Sequence, residues 1–366
     1  MTTVRKVSQR GLLAAAIMVP LILVFYSLGH AQAPIVNIPC DQDIDATINA
    51  DDRGTASRFV LEAGCTFVAS ETIVPSDGDE VACEVDPTFE QRGPAFDPTT
   101  YCTVAGNASV ENVFRPIGQG GTTATVRFEG IKITGGNFTG SSGSGAAIAE
   151  GSMTNSSYHY GIEVMDNEAA GILGAKGTFE RVEFTDNTND PDALGVIGAG
   201  LKARDEVEVK NSYIHDTQGN GIWCDNSCED SAGHPNGFWV HDNLVVDNGR
   251  AGIRFESVGG SNAGEALIAN NEVHGNSYGD AERGGISVRD AQNATIRNNR
   301  FGEVIIDGVR YPPNSRDVAI IASDSGRADR PNLLDIQIES NTLNGETIEG
   351  CELPDTVVEC GQESTR

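Results

Sequence analysis

Residues 238–257 read FWVHDNLVVDNGRAGIRFES. Phe238 and Val240 alternate with Trp239 and His241, a short apolar run follows Asn243, and Gly252-Ile253 opens a second alternating run. The same order recurs in VEVKNSYIHDTQGNGIWCDN (207–226), in ALIANNEVHGN (266–276) with GGISVRD (284–290), in ATIRNNRF (294–301) with VAIIASD (318–324), and in DIQIESNTLNG (335–345). Earlier copies are YGIEVMDNEAAGILGAK (160–176) and FERVEFTDN (179–187) with GAGLKARD (198–205), and ATVRFEGIKITGG (124–136) starts the clear series. Aligned, the copies place Ile131, Ile162, Val182, Ser212, Asn243, Asn271, Asn299 and Asn341 in one column, at spacings of 31, 20, 30, 31, 28, 28 and 42. A constant core with variable connections is the mark of a solenoid whose loops absorb insertions.

Period-two alternation with β-branched residues indicates strands, not helices. Several short strands per repeat with no helix between them must stack on the previous repeat as parallel strands about 4.8 Å apart. Asn243, Asn271, Asn299 and Asn341 then form an inward ladder at a corner, their amides bonding one another and the turn backbone.

This pattern resembles the right-handed parallel β-helix proteins, the pectate-lyase-like group, over roughly residues 59–345. FVLEAGCTFVASETIVPSDGDEV (59–81) is similar to the opening coil of that group. The resemblance implies an all-β solenoid of about eight or more coils. It occupies 32–345, with an insertion at about 82–112 and a C-terminal cap at 346–366. It does not choose among lyases, hydrolases, epimerases and tailspikes, because fold does not give activity.

The chain has 25 Lys+Arg and 53 Asp+Glu in 366 residues, a net charge of −28. Such a field repels nucleic acid and acidic membranes. Arg5, Lys6 and Arg10 precede the apolar run 11–28, and GHAQA (29–33) supplies small residues, so residues 1–31 are expected to be a cleaved signal peptide. An uncleaved anchor is the alternative. A secreted, cell-surface or periplasmic monomer is expected.

Eight cysteines fit an oxidising compartment. Proximity pairs Cys40 with Cys65, Cys83 with Cys102, Cys224 with Cys228 and Cys351 with Cys360. Zinc is the weaker reading, since no CxxC occurs and His234 is the one histidine near a pair.

On the Gly-Ile strands, Ile172, Leu201, Ile222, Ile253, Ile286 and Ile320 share one apolar, inward position, and Gly174, Ala203, Cys224, Phe255, Val288 and Ala322 another. The alternate residues face outward. They include Lys202, Arg204, Trp223, Asp225, Arg254, Glu256 and Arg289. This is a basic patch on an acidic chain, with an aromatic at its centre.

A ligand groove and a salt-bridge ladder both explain the patch. As a groove, exposed Trp223 would stack on a sugar, with Asp225 and Arg289 contacting substrate. The resemblance implies an active site on such an outward face. Lys202, Arg204, Arg254 and Glu256 are the catalytic candidates for a uronate lyase: a cation neutralises the carboxylate, a base removes the C5 proton, and a donor protonates the leaving oxygen. Asp225 and Glu256 are candidate ligands for Ca²⁺, or the carboxylate pair of a hydrolase.

Catalytic signatures of polygalacturonases and alginate epimerases are absent. The expected function is therefore an exported carbohydrate-active protein, a lyase on an acidic polysaccharide. The alternative is a non-catalytic polysaccharide-binding, adhesion or surface-structural protein. Walls for the groove are expected from 188–199, 226–237 and 305–317. His215 and His274, and the column Lys210, His241 and Arg297, are expected to be solvated.

Overall fold

The computed structural model describes residues 33–51, 54–116, 125–150, 157–225, 236–256, 265–278, 284–314, 318–323, 334–348 and 357–362. Cys228, Cys351 and the expected signal segment lie outside these residues, while Cys360 falls in the strand Val357–Gln362. Ile35–Arg366 forms one compact unit.

Each repeat contributes three strands. The stretch quoted above supplies Asn236–His241 to a first stack, Leu244–Val246 to a second and Ile253–Glu256 to a third. The first stack runs from Ile35–Ile38 to Leu334–Glu339, and the third from Asn112–Phe114 to Val318–Ser323. Long strands Ala170–Glu180 and Ala199–Lys210 pass through both, joining them into one 18-stranded sheet. The second stack is a separate 11-stranded sheet. Pairing along the coil is parallel throughout, so the expected parallel β-helix is the observed architecture.

The inside is one apolar column. Phe59, Phe128, Phe179, Phe238 and Ile268 come from the first stack, Val104, Val164 and Val245 from the second, and Ile172, Ile222, Ile253 and Ile286 from the third. The helix Ile44–Asn49, capped by Asp43, packs Ile44 and Ile48 into its first turns. At the far end Val357–Gln362 pairs antiparallel with Val318–Ser323, occupying an edge that would otherwise be open.

Corners between the first and second stacks are two residues long. Asp242, Asn270, Asn298 and Ser340 take φ of 54° to 58° there, and the next residue is the ladder asparagine. Asn243 donates through Nδ2 to Asn271 Oδ1 at 3.0 Å, Asn271 to Asn299 at 2.9 Å and Asn299 to Asn341 at 3.0 Å. A second ladder, unforeseen in the sequence, lines the next corner. Asn248 donates to Asn276 at 2.9 Å, Asn276 to Asn314 at 3.2 Å, and Asn167 to Asn187 at 2.9 Å. Its signal was present: Asn248 and Asn276 each follow a first-ladder asparagine by five residues.

Two antiparallel hairpins leave the coil, Thr88–Arg92 with Ala95–Thr99 and Val304–Ile306 with Val309–Tyr311. Cys102–Gly106 and Asn112–Phe114 are already back in the coil. The hairpins meet on the second stack, where Ala95, Tyr311, Val304 and Ile306 pack on Tyr213, Leu244 and Val246. Of the expected 305–317 groove wall, the described hairpin residues lie against the second stack, not on the third-stack face, and 315–317 lie outside the described residues. The hairpin's apolar residues match the outward Leu244 and Val246. Cys40–Cys65 and Cys83–Cys102 are disulfides, and Cys224 is disulfide-bonded to a partner outside the described residues.

Candidate functional site

Long connections flank the third stack on both edges, whereas the corner between the other two is tight. The third stack's outward face holds a cleft of ≈ 420 Å³. The floor is Ala149, Leu173, Gly174 and Ala203, Ser142–Gly143 and Val196–Ile197 lie along it, and Arg115, Glu150, Lys202, Arg204 and Asp225 supply its charge. The cleft forms because three of its four floor residues are Ala or Gly.

Register explains the order of the groups. Ala149 pairs with Leu173, Leu173 with Lys202, Lys202 with Trp223 and Trp223 with Arg254. Arg115 follows Phe114, the partner of Ile148, and stands one rung before Ala149. Arg115 and Lys202 are therefore three rungs, about 14 Å, apart. Arg115 and Arg204 are exposed and make no ion pair among the described residues.

Of the residues singled out from sequence, the cleft takes Lys202, Arg204 and Asp225, and Val196–Ile197 supply the wall expected from 188–199. The 226–237 wall falls almost entirely outside the described residues. Trp223, Arg254, Glu256 and Arg289 do not line the cleft.

The exposed sugar platform expected at Trp223 is corrected: its side chain points outward but is only 6% exposed. Rungs 4.8 Å apart lay the long stems of neighbouring cations across the indole. Lys202 Nζ sits 4.1 Å from the ring centroid and Arg254 Cζ 5.3 Å from it. Lys202 Nζ also binds Asp225 Oδ2 at 2.9 Å and Val196 O at 3.0 Å. Arg254, 5% exposed, pairs with Glu256, and burial pushes its guanidinium below the usual range against the pull of that carboxylate. Arg289 keeps 43% of its side chain exposed, 3.8 Å from Asp290.

Two consequences follow for the expected roles. Lys202 and Arg254 are occupied by partners and are poorly placed to act as a free base. Asp225 and Glu256 each face a cation, so they do not offer the oxygen-rich, uncompensated site that Ca²⁺ requires. Among the described residues the one group of three such ligands is Cys40, Glu62 and Cys65, and its cysteines form a disulfide.

Sequence reading missed Arg115 and the pair Glu150–His159. Glu150 is 2% exposed and His159 fully buried. Glu150 Oε1 lies 2.9 Å from His159 Nε2, and its Oε2 accepts the Lys176 N–H at 2.8 Å. The imidazole stands in the core between Phe128 and Phe179, at 5.3 and 4.6 Å, with Nδ1 unpartnered among the described residues. His159 lies one residue before the copy read as 160–176; a histidine in a phenylalanine column was the available signal.

On the second stack, His215 and His274 are in register with Val246 between them. Neither is solvated, because the hairpins cover this face. His274 binds Glu272 and the Gly302 carbonyl at 2.9 and 2.6 Å. His215 bridges Glu183 and Asp216 at 2.8 and 2.7 Å. Burial alone would lower its pKa, but those carboxylates outweigh it and raise the imidazole to about 9. Beside it, burial and the Glu183 charge push Asp97 up to about 6, opposed by Arg92 at 3.2 Å. Lys210 and His241 are half-buried around Glu208, while Arg297 is exposed.

A family described as a right handed beta helix region matches residues 100–301. Solved structures with similar backbones include the A-module of the Azotobacter vinelandii mannuronan C-5 epimerase AlgE4, at 14% identity over 84% of this chain and 86% of that one, TM-score 0.47. Pectate lyase Pel9A is similar at 13% identity over 88% and 80%, TM-score 0.43. The Dettilon tailspike protein is similar at 15% identity over 84% and 62%, TM-score 0.42. No curated protein sequence gives a significant match. Likenesses of this strength carry no argument about activity.

Proposed function

Because the chain belongs to the right-handed β-helix family, we propose that it is an exported carbohydrate-active protein whose third-stack cleft binds an acidic polysaccharide. One observation carries this reading. In a chain of net charge −28, two guanidinium groups without ion pairs among the described residues, Arg115 and Arg204, line one cleft with an apolar floor. A guanidinium matches a carboxylate or sulfate with two parallel hydrogen bonds. Export is supported by the basic-then-apolar N-terminus and by the two disulfides.

The finer reading is lyase chemistry. Arg115 and Arg204 would hold uronate carboxylates and make the C5 proton more acidic. Glu150, its side chain enclosed by His159 and the Lys176 N–H, would act as a positioning group behind the floor without touching substrate. Lys202 would hold Asp225 and the 196–197 wall in place.

The test is incubation with a panel of uronic-acid polysaccharides, with and without Ca²⁺, following the absorbance of the unsaturated product. Turnover that falls in Arg204→Ala and in Glu150→Gln supports the lyase. Binding without turnover leaves the second reading, a non-catalytic binding or surface protein, which the partnered state of Lys202 and Arg254 favours. Neither binding nor turnover on a folded sample refutes both.

A further inference from the structure

The chain has two tryptophans, and the structure exchanges the parts expected of them. Trp223 is enclosed, whereas Trp239 is half-buried on the outward face of the first stack. Its column is continuous in register. Tyr158 pairs with Thr178, Thr178 with Glu208, and Glu208 with Trp239. Tyr158 and Trp239 are thus two aromatic side chains on one flat face, three rungs or about 14 Å apart.

On this face, beside Trp239, lies a groove of ≈ 240 Å³ lined by Ser157, Gly177, Thr178, Glu206, Val207, Glu208 and Trp239. One of the rungs between the aromatics carries Gly177 and Thr178 side by side, which leaves space there. Gly177, at φ 90°, admits no larger residue, since a Cβ there would lie 2.0 Å from the Ser157 carbonyl oxygen.

We propose that this groove is a second carbohydrate site, separate from the cleft, that takes a neutral glycan strand with a sugar ring stacked on Trp239. A pyranose ring has an apolar face suited to an indole and a hydroxyl rim that needs polar partners. Those partners are present and held in place. Glu208 accepts from Lys210 Nζ at 2.9 Å and Thr178 Oγ1 at 3.3 Å, and lies 3.2 Å from His241 Nε2. Tyr158 donates its hydroxyl to Glu180 at 3.1 Å, and its ring is fixed by Tyr160 on one side and Arg127 on another. Glu208 Oε2 already accepts two of these bonds, and its Oε1, with one, keeps a lone pair for a sugar hydroxyl.

Charge sets the class of ligand. The two ionic groups lining the groove are carboxylates, Glu206 and Glu208, and Lys210 beside them is already paired. Among the described residues no cation lines the groove to hold a polyanion, whereas Arg115 and Arg204 line the cleft. A neutral chain needs none.

The test is tryptophan emission during titration with neutral gluco-, xylo- and manno-oligosaccharides. Binding by one of these is expected to change the emission of wild type and of Trp223→Phe. Calorimetry with the same sugar should show affinity reduced about tenfold or more in Trp239→Ala, a loss of roughly 1.4 kcal/mol, and reduced several-fold in Glu208→Gln. Thermal unfolding checks that both variants fold, and binding of a uronate oligosaccharide in the cleft should be unaffected by Trp239→Ala. The proposal is overturned if no neutral oligosaccharide binds, or if binding is unchanged in both groove variants.

Discussion

Replacing Trp223 with alanine separates a packing role from a ligand role. If the indole were an exposed platform, the variant would lose saccharide affinity at almost no cost in stability. The structure predicts the reverse. The ring is 6% exposed, with Lys202 4.1 Å and Arg254 5.3 Å from its centroid. Truncating a buried aromatic to alanine costs about 3–5 kcal/mol in transfer and cavity terms, and each desolvated cation–π contact adds roughly 0.5–2 kcal/mol. Relaxation of the long Lys202 and Arg254 side chains into the space offsets part of this. The expected net loss is about 4 kcal/mol. It should appear as a lower thermal midpoint and as faster amide exchange in 199–203, 220–224 and 253–256, since a solenoid transmits damage chiefly to neighbouring rungs. Trp223→Phe should recover more than half of it. A loss below about 1 kcal/mol, with polysaccharide affinity reduced, would refute the enclosed-ring reasoning.

Other expectations concern the ladders, the buried histidines and pH. Asn271→Ala removes the acceptor of the Asn243 N–H at 3.1 Å and of its Nδ2 at 3.0 Å, and two donated bonds, so urea unfolding should show a loss of about 3–5 kcal/mol. His159→Phe matches the column of Phe128 and Phe179 and should fold, but with Glu150 deprived of its imidazole, turnover should fall while affinity for polysaccharide holds. Stability should decline with rising pH in two steps. Asp97, raised to about 6, contributes fully below its unfolded pKa of 3.8 and loses that contribution as pH passes 6. His215, raised to about 9, contributes fully below 6.5 and loses it as pH passes 9, a step of at most about 3 kcal/mol. Thermal midpoints across pH 4–10 should show both steps, and His215→Gln should remove the upper one.

Much of the coil was legible because its determinants are local and repeated. Alternation, the column ending in Asn243, Asn271, Asn299 and Asn341, and the Gly-Ile positions set which way each side chain points. Trp223 shows where such reading ends: direction was evident, exposure was not. Exposure depends on what the next rung lays across the ring, and Lys202 and Arg254 are 21 and 31 residues away in sequence. Arg115 was invisible for a related reason, since it joins the patch only through Phe114, Ile148 and the rungs that follow.

The sequence by itself determined the solenoid, its parallel pairing and the corner ladder, because a repeat must satisfy its own backbone and bury its own apolar side at every turn. Tertiary structure alone decided where the cleft lies, which tryptophan is covered and which histidines are buried. Those depend on the hairpins at 88–99 and 304–311 and the 188–198 connection, which follow no repeat and find their places by packing against strands far from them in the chain.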